Sequence, residues 1–160
     1  MAADDGDGNF GVVPLEQARR MDGLSLFKGL LEGRVPAPPM AKVLGFKVAQ
    51  VERGGVLFTY TPVFDHYNPL GTIHGGVAAT LLDSVMGCAV HTTLDAGIGY
   101  TTLEIKVNYV RAMTDKTGPV KVEGKVINVG KRIATAEGRL FDQEGRLLAH
   151  GTTTCLIFPL

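Results

Sequence analysis

Residues 68–90 read "NPLGTIHGGVAATLLDSVMGCAV", and this stretch decides the fold. It opens as loop chemistry, with an Asn-Pro pair followed by Gly71, Gly75 and Gly76. From Gly75 to about Thr93 it reads as a helix whose apolar residues, Val77, Ala78, Leu81, Leu82, Val85, Met86, Ala89 and Val90 among them, occupy nearly every side. A helix that is apolar all round is buried all round. A membrane span is not indicated, because spanning needs about 20 predominantly apolar residues and this run carries Asp83 near its middle. Histidines aside, Asp83 is the only formal charge between Asp65 and Asp95. Burying an unpaired carboxylate is costly, so Asp83 needs either a structural partner or a cavity to face.

The rest of the chain supplies what surrounds that helix. Residues 43–51 and 56–63 read as two strands joined by the "ERGG" turn. After "DAGIG" the period changes to two: "YTTLEIKVNYV" puts Leu103, Ile105, Val107 and Tyr109 on one face, and three further strands follow. Upstream, residues 14–31 carry helical spacing with Gly23 as a weak point. Residues 34–41, "RVPAPPMA", form an irregular connector, because Pro36, Pro38 and Pro39 cannot sit in a helix interior. Residues 1–13 are acidic and Gly-rich and are expected to be a disordered tail. The order is helix, two strands, one long buried helix, four strands. An antiparallel sheet curled around the central helix buries that helix on most sides. The expectation is a single α+β domain over residues 14–160 with the hotdog fold.

Composition narrows the function. The 160 residues suit one domain with a real core. Lys plus Arg equals Asp plus Glu, 16 each, which argues against nucleic acid or an anionic membrane as main partner. The N-terminus has no basic and apolar leader, so the expected compartment is the cytoplasm. The two cysteines, Cys88 and Cys155, lie in apolar segments and read as reduced core thiols. There is no G-x-S-x-G elbow. "GKVINVGKR" has the wrong spacing for a phosphate loop, and histidines 66, 74, 91 and 150 show no paired metal spacing.

The glycine pair after His74 lies at the expected helix start, where orphan amides favour negative charge. The amides of Gly75 and Gly76 could stabilise an oxyanion there, although such a pair is more often only a turn. Asn68 could add a side-chain amide or could simply build the Asn-Pro turn. Asp83 lies eight positions beyond Gly75, about 12 Å along a helix axis. A reacting carbonyl must lie roughly 3 Å from its oxyanion donors and within reach of its base or nucleophile. If Gly75 and Asp83 act together, they most simply come from two antiparallel copies of the helix, which predicts a homodimer with two shared sites.

"NPLGTIHGG" followed by "ATLLDS", with "LGF" before them and "NYVR" after, resembles the hotdog acyl-CoA thioesterases of the phenylacetic-acid-degradation (PaaI-like) type, over about residues 38–159. The resemblance implies that Asp83 is the general base or the nucleophile, that Gly75 donates its amide to the thioester oxygen, and that Asn68 positions the carbonyl or the water. It also implies a hydroxyl on the next strand beside the carboxylate, for which Thr102 is the better match and Thr101 the alternative. His74 is expected to fix the loop by hydrogen bonds. The turn Gly130, Lys131 and Arg132, with Arg111 as a second candidate, is expected to meet the phosphates of coenzyme A. The substrate is then an acyl-CoA, with CoA part of the substrate and no separate cofactor or metal, and the active unit is a homodimer or an assembly such as a tetramer. The acyl pocket is expected from the central helix and the loop before it, with Leu82, Met86 and Phe64 as candidates. Two other readings keep the same fold: a non-catalytic acyl-CoA binding module, which would not need Asp83, and a dehydratase acting on hydroxyacyl thioesters, which usually pairs a histidine with its carboxylate.

Overall fold

A computed structural model describes residues 9–160. The long helix of the sequence reading, here α4, spans Gly75–His91 and buries nine residues, from Val77 to Val90. Around it curls one six-stranded antiparallel sheet. Its strands are β1 (Lys47–Glu52), β2 (Gly55–Tyr60), β3 (Ile98–Tyr109), β4 (Val120–Val129), β5 (Ile133–Phe141) and β6 (Leu147–Pro159), in the order β1-β2-β4-β5-β6-β3. This is the expected hotdog architecture. Leu81, Leu82, Val85, Met86, Ala89 and Val90 have no exposed surface. Each large side chain among them contributes about 1.5–3 kcal/mol through its burial.

Close approach is achieved with glycine. A side chain at Gly124 of β4 would collide with the Val85 carbonyl, so sheet and helix meet there backbone to backbone. A Cβ at Gly87 would lie 2.5 Å from the Tyr100 hydroxyl, and the missing side chain makes room for that ring.

Upstream of the sheet the chain departs from expectation in three places. The helix expected over residues 14–31 is two helices, α1 (Leu15–Ala18) and α2 (Gly23–Leu31). Asp22 ends the continuity by capping α2, its carboxylate accepting the Ser25 amide at 2.9 Å. The strand expected from Val43 starts only at Lys47. Val43 and Leu44 close a short helix, α3 (Pro39–Leu44), which has Pro39 in its first turn and stops at Gly45 with φ of 72°. Of the tail expected over residues 1–13, residues 1–8 lie outside the described part. From Asn9 the chain is held: the Gly11 amide donates to the Ala37 carbonyl at 2.9 Å and the Ala37 amide to the Asn9 carbonyl at 2.8 Å.

Strand β3 carries a bulge between Thr102 and Glu104. Thr102 pairs with Cys155, Ile105 with Thr153 and Tyr109 with Ala149, and all three partners are buried on the inner face of β6. The bulge therefore brings Tyr100 and Thr102 to the same face as Ile105, Val107 and Tyr109. The expected four-residue stripe is broken at its first member, because Leu103 is the extra, exposed residue.

Candidate active site

Asp83 is half-buried on α4. Its Oδ1 accepts a hydrogen bond from the Thr102 hydroxyl at 2.8 Å. Thr102, not Thr101, is thus the threonine beside the carboxylate. Thr101 pairs with Leu156 and is exposed. Asp83 faces a cavity of about 540 Å³, which answers how the helix tolerates it. Ser84 and Cys88 continue the α4 floor, Tyr100 and Thr102 form the β3 wall, and Val48 and Phe58 come from β1 and β2. Beneath this chamber the thiols are held protonated. Burial, with the Asp83 carboxylate adding to it, pushes Cys88 up to about 12. Burial also raises Cys155. Both cysteines are free thiols, Cys155 buried and Cys88 half-buried.

At the other end of α4, Gly75 and Asn68 line a separate cavity of about 280 Å³, together with Arg111 and Tyr109. His74 caps the helix, its Nδ1 accepting the Gly76 amide at 2.9 Å. That bond occupies the Gly76 N–H, so of the two glycine amides only Gly75's is open: it meets no acceptor among the described residues. The Asn68 side chain builds its own turn. Its amide donates to the Thr72 hydroxyl at 2.9 Å, and its oxygen accepts from the Leu70 amide at 2.9 Å. The Tyr109 hydroxyl donates to the Gly75 carbonyl at 3.1 Å.

Within one chain, therefore, Asp83 and Thr102 come together, and Gly75, Asn68 and Arg111 come together, but the two groups do not share a cavity. The basic candidates also divide. The turn holding Gly130, Lys131 and Arg132 lies at the Thr102 end of the sheet, where the Ile157 amide donates to the Arg132 carbonyl. Lys131 and Arg132 are exposed. Arg111 follows the far end of β3, nine residues and about 30 Å along the strand from Thr102.

The expected pocket lining does not hold. Leu82 and Met86 are sealed in the core and Phe64 is exposed on the surface; none of the three lines the Asp83 chamber. Its apolar wall comes instead from Phe27, Leu30, Val35 and Phe46, all in the N-terminal segment. In the sequence Phe27 and Leu30 belong to the apolar spacing of residues 14–31, Val35 to the connector and Phe46 to the first expected strand, and none of these signals points to a pocket.

A curled six-stranded antiparallel sheet around a long helix, with a carboxylate open to a cavity in mid-helix, defines the class as a hotdog protein. The thioesterase superfamily model matches residues 70–149. A Saccharolobus solfataricus protein named as a candidate esterase is 30% identical over 69% of this chain and 77% of its own length. Mouse acyl-coenzyme A thioesterase 13 is 32% identical over 56% of this chain and 63% of its own length, so the chain spans less than two thirds of that relative. The crystal structure of a phenylacetic acid degradation-related protein from Ralstonia eutropha superposes with a TM-score of 0.74 at 28% identity, covering 82% of this chain and 98% of that one. This chain belongs to the thioesterase superfamily and is of the PaaI-like hotdog type, a family of thioester hydrolases.

Proposed function

We propose that this chain hydrolyses an acyl-CoA thioester to the free acid and CoA, at a site that two copies of α4 build together. Asp83 of one copy activates water as general base, or attacks the carbonyl as nucleophile, and Thr102 holds the carboxylate in place. The Gly75 amide of the other copy, at the positive end of its helix, stabilises the thioester oxygen as it gains charge. Asn68 keeps the loop that presents Gly75 and positions the carbonyl or the water. His74 supports that loop, and Gly76 serves through its bond to His74 rather than as an anion donor.

One observation carries the reading: Asp83 opens into a chamber while Gly75, whose amide meets no acceptor among the described residues, lines a different cavity, so each chain holds half of the required geometry. The edge position of β3 supports assembly. On its inner face Ile105 and Tyr109 are exposed, at 37% and 60%, although the Tyr109 hydroxyl reaches the start of α4 at the Gly75 carbonyl. A second copy adding to this edge would cover them and bring its helix alongside. In this reading Lys131 and Arg132, exposed on the turn with Gly130 at the Thr102 end, meet the CoA phosphates, and Arg111 meets them from the partner's Gly75 end. CoA enters as part of the substrate, and the chemistry calls for no further cofactor. No helix among the described residues is long and apolar enough to cross a membrane; a cytoplasmic enzyme with a small-molecule substrate fits the balanced charge.

The test is thiol release from aliphatic and aromatic acyl-CoA esters, followed while the protein is diluted through its dimer dissociation. Activity per chain is expected to fall as dimer is lost. A fully active monomer would contradict the shared site, and no release from any ester would contradict the hydrolase reading in favour of a binding module.

A further inference from the structure

The sheet does not close around α4. Its two edges, β1 and β3, leave a gap over the side of the helix that carries Asp83, Ser84 and Cys88, and the Asp83 chamber lies in that gap. What roofs it is the N-terminal segment, which the family model, matching residues 70–149, does not reach.

The roof is tied down at both ends. The Gly23 amide donates to the Leu94 carbonyl at 3.0 Å. A side chain at Gly23 would overlap the His91 carbonyl, so α2 begins in backbone contact with the end of α4. At the other end, the pair of backbone bonds between Ala37 and residues 9–11 straps the connector. The Phe10 ring lies under the Lys42 ammonium, 5.7 Å from it. Both Phe10 and Ala37 line the chamber, on the side that leads through α3 into β1, across the gap from Thr102. The chamber thus runs from a carboxylate and a hydroxyl to an apolar end wall. About 540 Å³ falls within the usual range for pockets that enclose small organic ligands, about 300–1,000 Å³.

We propose that residues 9–46 are the acyl-specificity element of this enzyme: they enclose an apolar acyl group larger than acetyl, with Phe10 and Leu30 setting how far it extends. This rests on the acyl-CoA hydrolase reading.

The experiment measures kcat and KM of wild type, Phe10→Ala and Leu30→Trp for straight-chain acyl-CoA esters from acetyl upward, and for a benzoyl and a phenylacetyl ester. In the wild type, kcat/KM is expected to rise by up to about fourfold per methylene and then to stop at a length cut-off. Phe10→Ala is expected to move the cut-off to longer chains, raising the kcat/KM ratio of long over medium esters by about tenfold or more, mainly through KM. Leu30→Trp, which fills the chamber, moves it the other way. A flat profile in the wild type, or a Phe10→Ala variant that scales all esters equally, would overturn the proposal. If no ester releases thiol, the hydrolase reading fails by itself. Calorimetric binding of the non-hydrolysable thioether analogues of octanoyl-CoA and acetyl-CoA then decides: tighter octanoyl binding that Phe10→Ala weakens sustains the specificity element, and equal binding of the two overturns it.

Discussion

The Thr102 hydroxyl donates to Asp83 Oδ1 across 2.8 Å, from a strand position that simple alternation would turn away from the face bearing Tyr109. The bulge at residues 102–104 is what aims it. A hydrogen bond to a charged group is worth roughly 1.5–3 kcal/mol, so it fixes one carboxylate oxygen and leaves the other open to the chamber.

Thr102→Val is therefore expected to lower kcat by about 10- to 100-fold with a smaller change in KM, while Thr102→Ser retains most of the activity. Steady-state thiol release checks this. Activity kept in Thr102→Val and lost in Thr102→Ser would mean that the methyl group, and hence packing, is what matters.

Legibility followed physical type. The buried helix, the turns and the antiparallel strands were readable because each depends on local periodicity or on glycine and proline chemistry. Asp83 was readable because an isolated charge in an apolar helix has few explanations. The bulge was not, since one extra residue leaves no mark in an alternating pattern and shows only when β3 is registered against β6. The break before α2 was marked by Gly23, but its cause, the Asp22 cap, was not weighed against continuous apolar spacing. The chamber wall was misassigned to Leu82, Met86 and Phe64 because helical residues of any side look alike in sequence. Only the way the sheet curls decides that Leu82 and Met86 face inward to β5, whose Gly138 packs against both, while Asp83 and Cys88 face the gap between its edges.

The core around α4 predicts stability as well as fold. Leu82 has no exposed surface, and Leu82→Ala is expected to cost about 2–5 kcal/mol, read as a lower midpoint in urea with the slope unchanged.

His91 predicts a pH dependence. Burial holds its imidazole below the ordinary value of 6.5, and it lies edge-on to Phe27 at 5.5 Å and beside Tyr100 at 5.4 Å. The unfolded chain binds the proton more readily, so stability is full above about pH 6.5, falls as the pH drops from there towards the folded value, and then levels off. Thermal midpoints between pH 7.5 and 5 are expected to decline in the wild type and to decline less in His91→Gln.

The central claim is that Asp83 performs the chemistry, and Asp83→Asn tests it most directly, since it keeps the shape and the approach of Thr102 while removing the base. With fold and oligomeric state verified unchanged, thiol release from the best acyl-CoA ester is predicted to fall by at least about 10²-fold in kcat, with KM little altered. Turnover within a fewfold of the wild type would contradict the account, and Asp83 would then be a structural carboxylate satisfied by Thr102.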